Sequence, residues 1–268
     1  MTRPGSAEPA PSEPAPANPA DLDFCVELAR EAGELTLEWY RGSDFSIDHK
    51  HDGSPVTAAD LAVETLMRER LNAAYPNDSV LGEEHPDTSG ASGRSWVIDP
   101  IDGTKAFMKG VPLFANLLAL VDEHGPAVGV IHLPALGETV WAGRGLGAFH
   151  NGEPCRVNDH EGLDGAFVCT SGFGYWPDGA LSSLLDSPVK LRTWGDAYGY
   201  ALVATGQVEA MVDPEAFAWD LAPIAVIIAE AGGCFSAFDG RTGAGVWSSG
   251  SAIATNNRIH EDLVALFQ

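Results

Sequence analysis

Cysteine is sparse: four residues, Cys25, Cys155, Cys169 and Cys234, lie far apart with no Cys-x-x-Cys pair. That spacing excludes a regular disulfide framework and leads us to expect free thiols in a reducing cytoplasm. Basic residues are scarce too, 15 Lys and Arg against 38 Asp and Glu, giving a formal net charge of -23. A sequence-independent nucleic-acid binder needs Lys and Arg to neutralise phosphates, so this class is excluded. No window approaches the roughly 20 continuous apolar residues of a membrane-spanning helix. The longest apolar run, "LAPIAVIIAEA" at 221–231, falls well short of that and carries Pro223. No membrane partner is expected. Nor does the N-terminus show a charged segment followed by an apolar one, so no secretory signal is expected.

Several catalytic signatures are missing as well. There is no G-x-x-x-x-G-K-[ST] loop and no strand-linked G-x-G-x-x-G. The serine of "TSGFG" (Thr170 to Gly174) does not sit in G-x-S-x-G. Histidines never recur as His-x-x-x-His, and His49 and His51 flank Lys50 in an expected loop, so zinc has no support.

What is present is a chain of 268 residues, 45% of them apolar, enough for one large domain or two packed lobes. Residues 1–20, rich in Pro, Ala, Ser and Glu, read as a disordered tail with little to bury. The remainder, 21–268, divides into lobes of roughly 21–150 and 151–268. "ADLDFCVELAREAGELTLEWYRG" repeats apolar residues near a 3.6-residue period, which predicts an amphipathic helix stopped at Gly42. "AADLAVETLMRERLNAAYP" predicts a second helix ended by Pro76. "SWVI" reads as a strand, and "FANLLALVDEHGPAVGVIHLP" as two strands joined by a turn, within a largely antiparallel sheet. The second half alternates short strands with helices, closing on "NRIHEDLVALF". The class is layered α/β (α+β).

Carboxylates recur in distinctive places. Asp60 ends "SPVTAAD" at a helix start, and Glu83 and Glu84 follow a short apolar stretch in "SVLGEEH". Asp99 and Asp102 sit in "WVIDPIDGT", and Asp220 heads a buried helix in "FAWDLAPI". Each has an ordinary explanation: Asp60 and Asp220 as helix caps, Asp-Gly as a turn, as for Asp239 in "FDGR". Turn chemistry, however, does not require two acids, a proline and Gly-Thr together. A hard cation such as Mg²⁺ takes carboxylate and carbonyl oxygens, which makes the Ile101 carbonyl a further candidate ligand. The N–H groups of Gly103 and Thr104, opening the next segment, suit a phosphate. Trp194 and Trp219 read as packing anchors beside the site.

"SPVTAAD", "GEE", "WVIDPIDGT" and "WDLAPIAVIIAEAGG", in that order, resemble the inositol monophosphatase-like superfamily of Mg²⁺-dependent, lithium-sensitive phosphatases. The resemblance implies an αβαβα sandwich of the inositol monophosphatase/fructose bisphosphatase type, commonly a homodimer. It implies that Glu83, Asp99, Asp102, the Ile101 carbonyl and Asp220 bind two or three Mg²⁺ ions. Thr104 paired with Asp60 would orient the attacking water, Glu83 would share in activating it, and attack would be in line without a phosphoenzyme. Inositol phosphatases of the superfamily usually read D-G-T-T-N-F, whereas this chain has Lys105 in "DGTKAF". "RTWGDAYGYALVATGQVEAMVDPEAFAWD" is instead similar to the histidinol-phosphate phosphatases. Asp196, Asp213 and Glu215 would then face a cationic aminoalcohol, with Lys105 and Arg192 as the basic residues of the pocket and Asp220 closing it. Inositol phosphate, a sugar bisphosphate and adenosine 3′,5′-bisphosphate are the alternative substrates. A catalytically dead member acting as a metal- or phosphate-sensing partner is the non-enzymatic alternative, against which every matched ligand position is filled.

Overall fold

A computed structural model of the chain describes residues 14–42 and 57–268, and the backbone alone at 47–49 and 55–56. The expected loop residues Lys50 and His51 lie outside the described residues, as does 1–13 of the expected tail. The rest of that tail segment is ordered. Ala17 is buried and its N–H donates to the Arg144 carbonyl at 2.8 Å. Asn18 caps helix α1 (Pro19–Trp39) by accepting from the Ala20 N–H.

Strands β1 (Ile47–His49) and β2 (Pro55–Thr57) pair antiparallel, so the expected loop around His49 is in part a strand. Helix α2 (Ala58–Ala74) follows directly, with Thr57 as its N-cap. A seven-stranded sheet then runs in spatial order through β3 (Ser79–Gly82), β4 (Ser95–Asp102), β5 (Ala115–Asp122), β6 (Gly125–Leu133), β7 (Glu138–Gly143), β8 (Gly147–His150) and β9 (Glu153–Pro154). Its first pair is parallel and the others are antiparallel, as the hairpin-rich sequence implies. One short helix, α3 (Thr104–Met108), interrupts it after β4.

The second half forms a five-stranded sheet from β10 (Phe167–Cys169), β11 (Lys190–Arg192), β12 (Ala210–Asp213), β13 (Cys234–Ser236) and β14 (Ala252–Thr255), ordered β11-β10-β12-β14-β13. Its helices are α4 (Ala180–Asp186), α5 (Ala197–Ala204), α6 (Ala218–Glu230) and α7 (His260–Ala265).

Three apolar interfaces stack these elements. Leu22, Val26, Met67 and Leu71 of α1 and α2 pack on Trp96 and Leu118 of the large sheet. Leu221, Ile224 and Ile227 of α6 lie between Leu117 and Ile131 of that sheet and Met211 and Ala254 of the smaller one. Leu184 of α4 and Leu263 of α7 cover the far face through Val168, Val212 and Ile253. The result is the expected αβαβα sandwich. It also explains the apolar run at 221–231, since a helix between two sheets buries most of its surface. Among the described residues no helix is long and apolar enough to cross a membrane.

Candidate active site

The two aspartates of "DPID" reach one face of the sheet because β4 is irregular. Side chains on a regular strand alternate, so residues three apart would point to opposite faces. Here Asp99 pairs with Leu117 and Asp102 with Ala115, a register shift that sets three steps on β4 against two on β5. The extra residue restores Asp99 and Asp102 to the same side. Proline is tolerated because the ladder is already broken there. Buried Asn116 holds the bulge in place, its amide donating to the Pro100 carbonyl and to Thr36 Oγ.

Gly103 follows with φ of 77°, a left-handed conformation that Cβ disfavours. A Cβ there would stand 2.9 Å from the Leu113 carbonyl oxygen and 3.1 Å from Asp196 Oδ2. Gly103→Ala is therefore expected to lower stability by about 1–2 kcal/mol and to cut turnover further, by displacing the Asp196 carboxylate. Urea denaturation and a phosphate-release assay on the variant check both.

Two other first-half elements contribute acids. Asp60, at the third position of α2, accepts from the Thr57 N–H at 2.8 Å and from the Thr57 hydroxyl through Oδ2. The helix-cap reading of Asp60 is thus correct in part, yet its Oδ1 is buried with no hydrogen-bond partner. Glu83 follows β3, and the loop beyond it is pinned by Glu64. This buried glutamate accepts from the N–H groups of Glu84 and His85 and pairs with Arg68 at 2.7 Å.

The second half closes the site. Ala197, first residue of α5, donates its N–H to Asp102 Oδ2 at 2.7 Å, so an acid from the first half of the chain meets the start of a helix from the second. Asp220, at the third position of α6, accepts from the Phe217 N–H at 2.7 Å. Asp99, Asp102 and Asp220 present carboxylate oxygens within 4.8 Å of one another. Glu83 and Asp220 are also close enough for their charges to act on Asp99.

Such crowding is electrostatically costly. Burial, then the charges of Glu83, Asp102 and Asp220, push the Asp99 carboxyl well above its ordinary range. Asp102 is raised by burial and by Asp196 and Asp220. Asp220 is pushed up to about 7, mainly by burial, with Glu83 adding. Burial also raises Asp60 and Asp196, the latter against the opposing effects of Ser171 and Lys105. Carboxylates forced together in this way favour a shared cation.

A cleft of about 740 Å³ opens from the cluster, lined by Asp102, Lys105, Asp196, Asp213, Glu215 and Asp220 among others. Three expectations are altered by the geometry. Arg192 is not brought there: on edge strand β11, its guanidinium lies 5.3 Å from the ring centre of Phe167 and 5.8 Å from that of Trp194. Those aromatic faces hold the cation on a different surface. Trp194 goes with it and lines another cavity, whereas Trp219 does pack beside the site, stacked on Phe217.

Asp213 lines the cleft, but its carboxylate is already engaged. It accepts from the Ser171 N–H and hydroxyl and from the Tyr200 hydroxyl, at 2.9–3.1 Å. Burial raises it to about 6 in spite of these bonds. The Thr104 hydroxyl, finally, donates to the Ile101 carbonyl at 3.1 Å, while Thr57 occupies Asp60 Oδ2.

Sequence reasoning missed Asn116, Glu64, Ser171 and Tyr200, which hold the acids rather than belong to the cluster. It also missed the aromatic lining, Phe173, Tyr175 and Phe217. No local motif marks the holding residues, because the groups they hold at the site lie between 13 and 80 positions away, Asp213 from Tyr200 being the nearest and Thr36 from Asn116 the farthest.

The αβαβα sandwich thus carries a cluster of carboxylates contributed by both halves of the chain. The Inositol monophosphatase family profile matches residues 20–268. A histidinol-phosphatase of Mycobacterium tuberculosis is 39% identical over 253 residues, covering 91% of this chain and 96% of that protein. One from Chlorobaculum parvum is 38% identical over 249 residues, covering 91% and 95%. Among solved structures, the extragenic suppressor protein suhB from Bartonella henselae has a TM-score of 0.86 at 28% identity, covering 93% of this chain and 98% of its own. The chain belongs to the inositol monophosphatase family, and it is a phosphatase.

Proposed function

We propose that this phosphatase is a Mg²⁺-dependent L-histidinol-phosphate phosphatase of histidine biosynthesis, releasing L-histidinol and inorganic phosphate. The observation that carries the substrate is the cleft, where Asp196 and Glu215 stand next to the acid cluster with Lys105. A phosphate ester whose alcohol half bears an ammonium and an imidazole suits that acidic wall. The similarity to the histidinol-phosphatases agrees with it.

Glu83, Asp99, Asp102 and Asp220, with the Ile101 carbonyl, would hold two or three Mg²⁺ ions. The cluster fits a hard cation: Asp99 Oδ1 is buried without a hydrogen-bond partner beside two further carboxylates. Bound there, Mg²⁺ supplies charge neutralisation for phosphoryl transfer and acidifies water. The chain's own groups do the rest. The Gly103 and Thr104 N–H groups hold phosphate oxygens, and Asp60 Oδ1 or the Glu83 carboxylate receives the proton of the attacking water. The phosphoryl group passes directly to water as its bond to the alcohol oxygen breaks, and the leaving alkoxide takes a proton from solvent, with no covalent phosphoenzyme. The Ile101 carbonyl accepts from the Thr104 hydroxyl with one lone pair and keeps a second for a cation. Inhibition by Li⁺, a homodimer and a cytoplasmic setting complete the reading.

The test is phosphate release on L-histidinol phosphate, inositol 1-phosphate, fructose 1,6-bisphosphate and adenosine 3′,5′-bisphosphate side by side, each with Mg²⁺. A kcat/KM for histidinol phosphate at least about tenfold above the others, worth about 1.4 kcal/mol, is the expected result. Preference for another substrate would remove Asp196 and Glu215 from recognition.

A further inference from the structure

Phe217 breaks a local rule. It occupies the N-cap of α6, where Ser, Thr, Asp and Asn prevail because their side chains bond the free N–H groups of the first turn. A phenyl ring makes no such bond, and none is made here. The ring is also 49% exposed, in the lining of the acidic cleft. Neither capping nor core packing accounts for a large apolar side chain at this position, and departures of this kind concentrate at functional positions.

The ring is nevertheless firmly held. The Phe217 N–H donates to Asp220 Oδ2 at 2.7 Å, tying its backbone to the acid cluster. The ring stacks on Trp219 with centroids 5.0 Å apart and planes within 16° of parallel. A second exposed ring, Phe173, shares the cleft lining. Phe217 differs from it in being registered to the carboxylates and backed by a partner ring. A flat aromatic fixed at a set distance from a reacting centre is suited to receive another flat ring by offset stacking, or a cation over its face.

We propose that Phe217, backed by Trp219, is the specificity-determining platform for the planar ring of the leaving alcohol. The substrate class is a phosphate monoester whose alcohol half carries a flat heteroaromatic ring. Glu215, also lining the cleft two positions away, takes the positive charge of that half. This rests on the histidinol-phosphate reading and deepens it by assigning the imidazole to one side chain.

The experiment compares L-histidinol phosphate with L-alaninol phosphate, the same aminoalcohol phosphate with a methyl group in place of the imidazole. Both are assayed with the Mg²⁺-loaded wild type, Phe217→Leu and Phe217→Tyr. Leucine keeps the backbone N–H to Asp220 and much of the volume, while tyrosine keeps the aromatic face. Phe217→Leu is expected to lower kcat/KM for histidinol phosphate roughly tenfold, mainly through KM, and to lower that for alaninol phosphate by a much smaller factor, so that the ratio between the two substrates falls. Phe217→Tyr should retain the wild-type ratio. Wild-type preference for histidinol phosphate that survives Phe217→Leu would overturn the platform alone. An equal loss on both substrates would make Phe217 a structural support and overturn it likewise. A wild type without preference between the two would overturn the histidinol-phosphate reading and the platform together.

Discussion

Asp99→Asn is expected to reduce phosphate release by roughly 10²–10³-fold or more, while the metal-free variant melts at a higher temperature than metal-free wild type. The two effects share one cause. Asp99 is buried and its carboxyl is raised by burial and by Glu83, Asp102 and Asp220. In the metal-free protein an ionised Asp99 adds repulsion to a site that has no compensating charge. Asparagine has nearly the same shape and carries no charge, so folding loses a penalty while a divalent cation loses an anionic ligand. Mg²⁺ should raise the melting temperature of the wild type and leave that of the variant nearly unchanged, because stabilisation by a ligand scales with its affinity for the native state. Unchanged turnover in the variant would remove Asp99 from the metal site.

The second large effect concerns pH. Burial is the chief cause that pushes Asp220 up to about 7 and Asp213 up to about 6, from the ordinary 3.8. A carboxyl with a raised folded-state pKa binds its proton more tightly when folded than when unfolded. Its contribution to stability is complete below the unfolded value and is lost as pH rises through the folded one. Metal-free protein should therefore lose stability, on the order of a few kcal/mol, as pH rises from about 4 to about 7. Saturating Mg²⁺ should flatten that decline, since it favours the ionised carboxylates that burial penalises. Chemical denaturation at a series of pH values, with chelator and with Mg²⁺, reads both limbs. A metal-free protein more stable at neutral than at mildly acidic pH would contradict the account of the cluster.

Much of this was legible in the sequence. Helix periodicity placed α1 and α2, with α1 starting one residue earlier than the quoted stretch because Asn18 supplies the cap and Pro19 the first turn. The acids of "DPIDGT" and "WDLAPI" come together in space. What could not be read was how the strand manages it. Alternation alone would separate Asp99 from Asp102, and the bulge that reunites them depends on β5 and on buried Asn116, neither of which belongs to the motif. Counting charges near the pocket segment failed for a similar reason. Arg192 is drawn onto two aromatic faces, and Asp213 is spent on Ser171 and Tyr200. Both outcomes were decided by contacts that residue type does not announce. Phe217 went unremarked because a single phenylalanine in sequence is ordinarily core.

The central claim is that these carboxylates form a cation-dependent phosphatase centre, and one titration tests it most directly. Protein stripped with a chelator is assayed for phosphate release from L-histidinol phosphate as Mg²⁺ is added back, alongside Asp99→Asn. The account predicts negligible turnover without the cation, saturable recovery in the wild type and none in the variant. Full turnover by the stripped protein, or equal recovery in the variant, would contradict it.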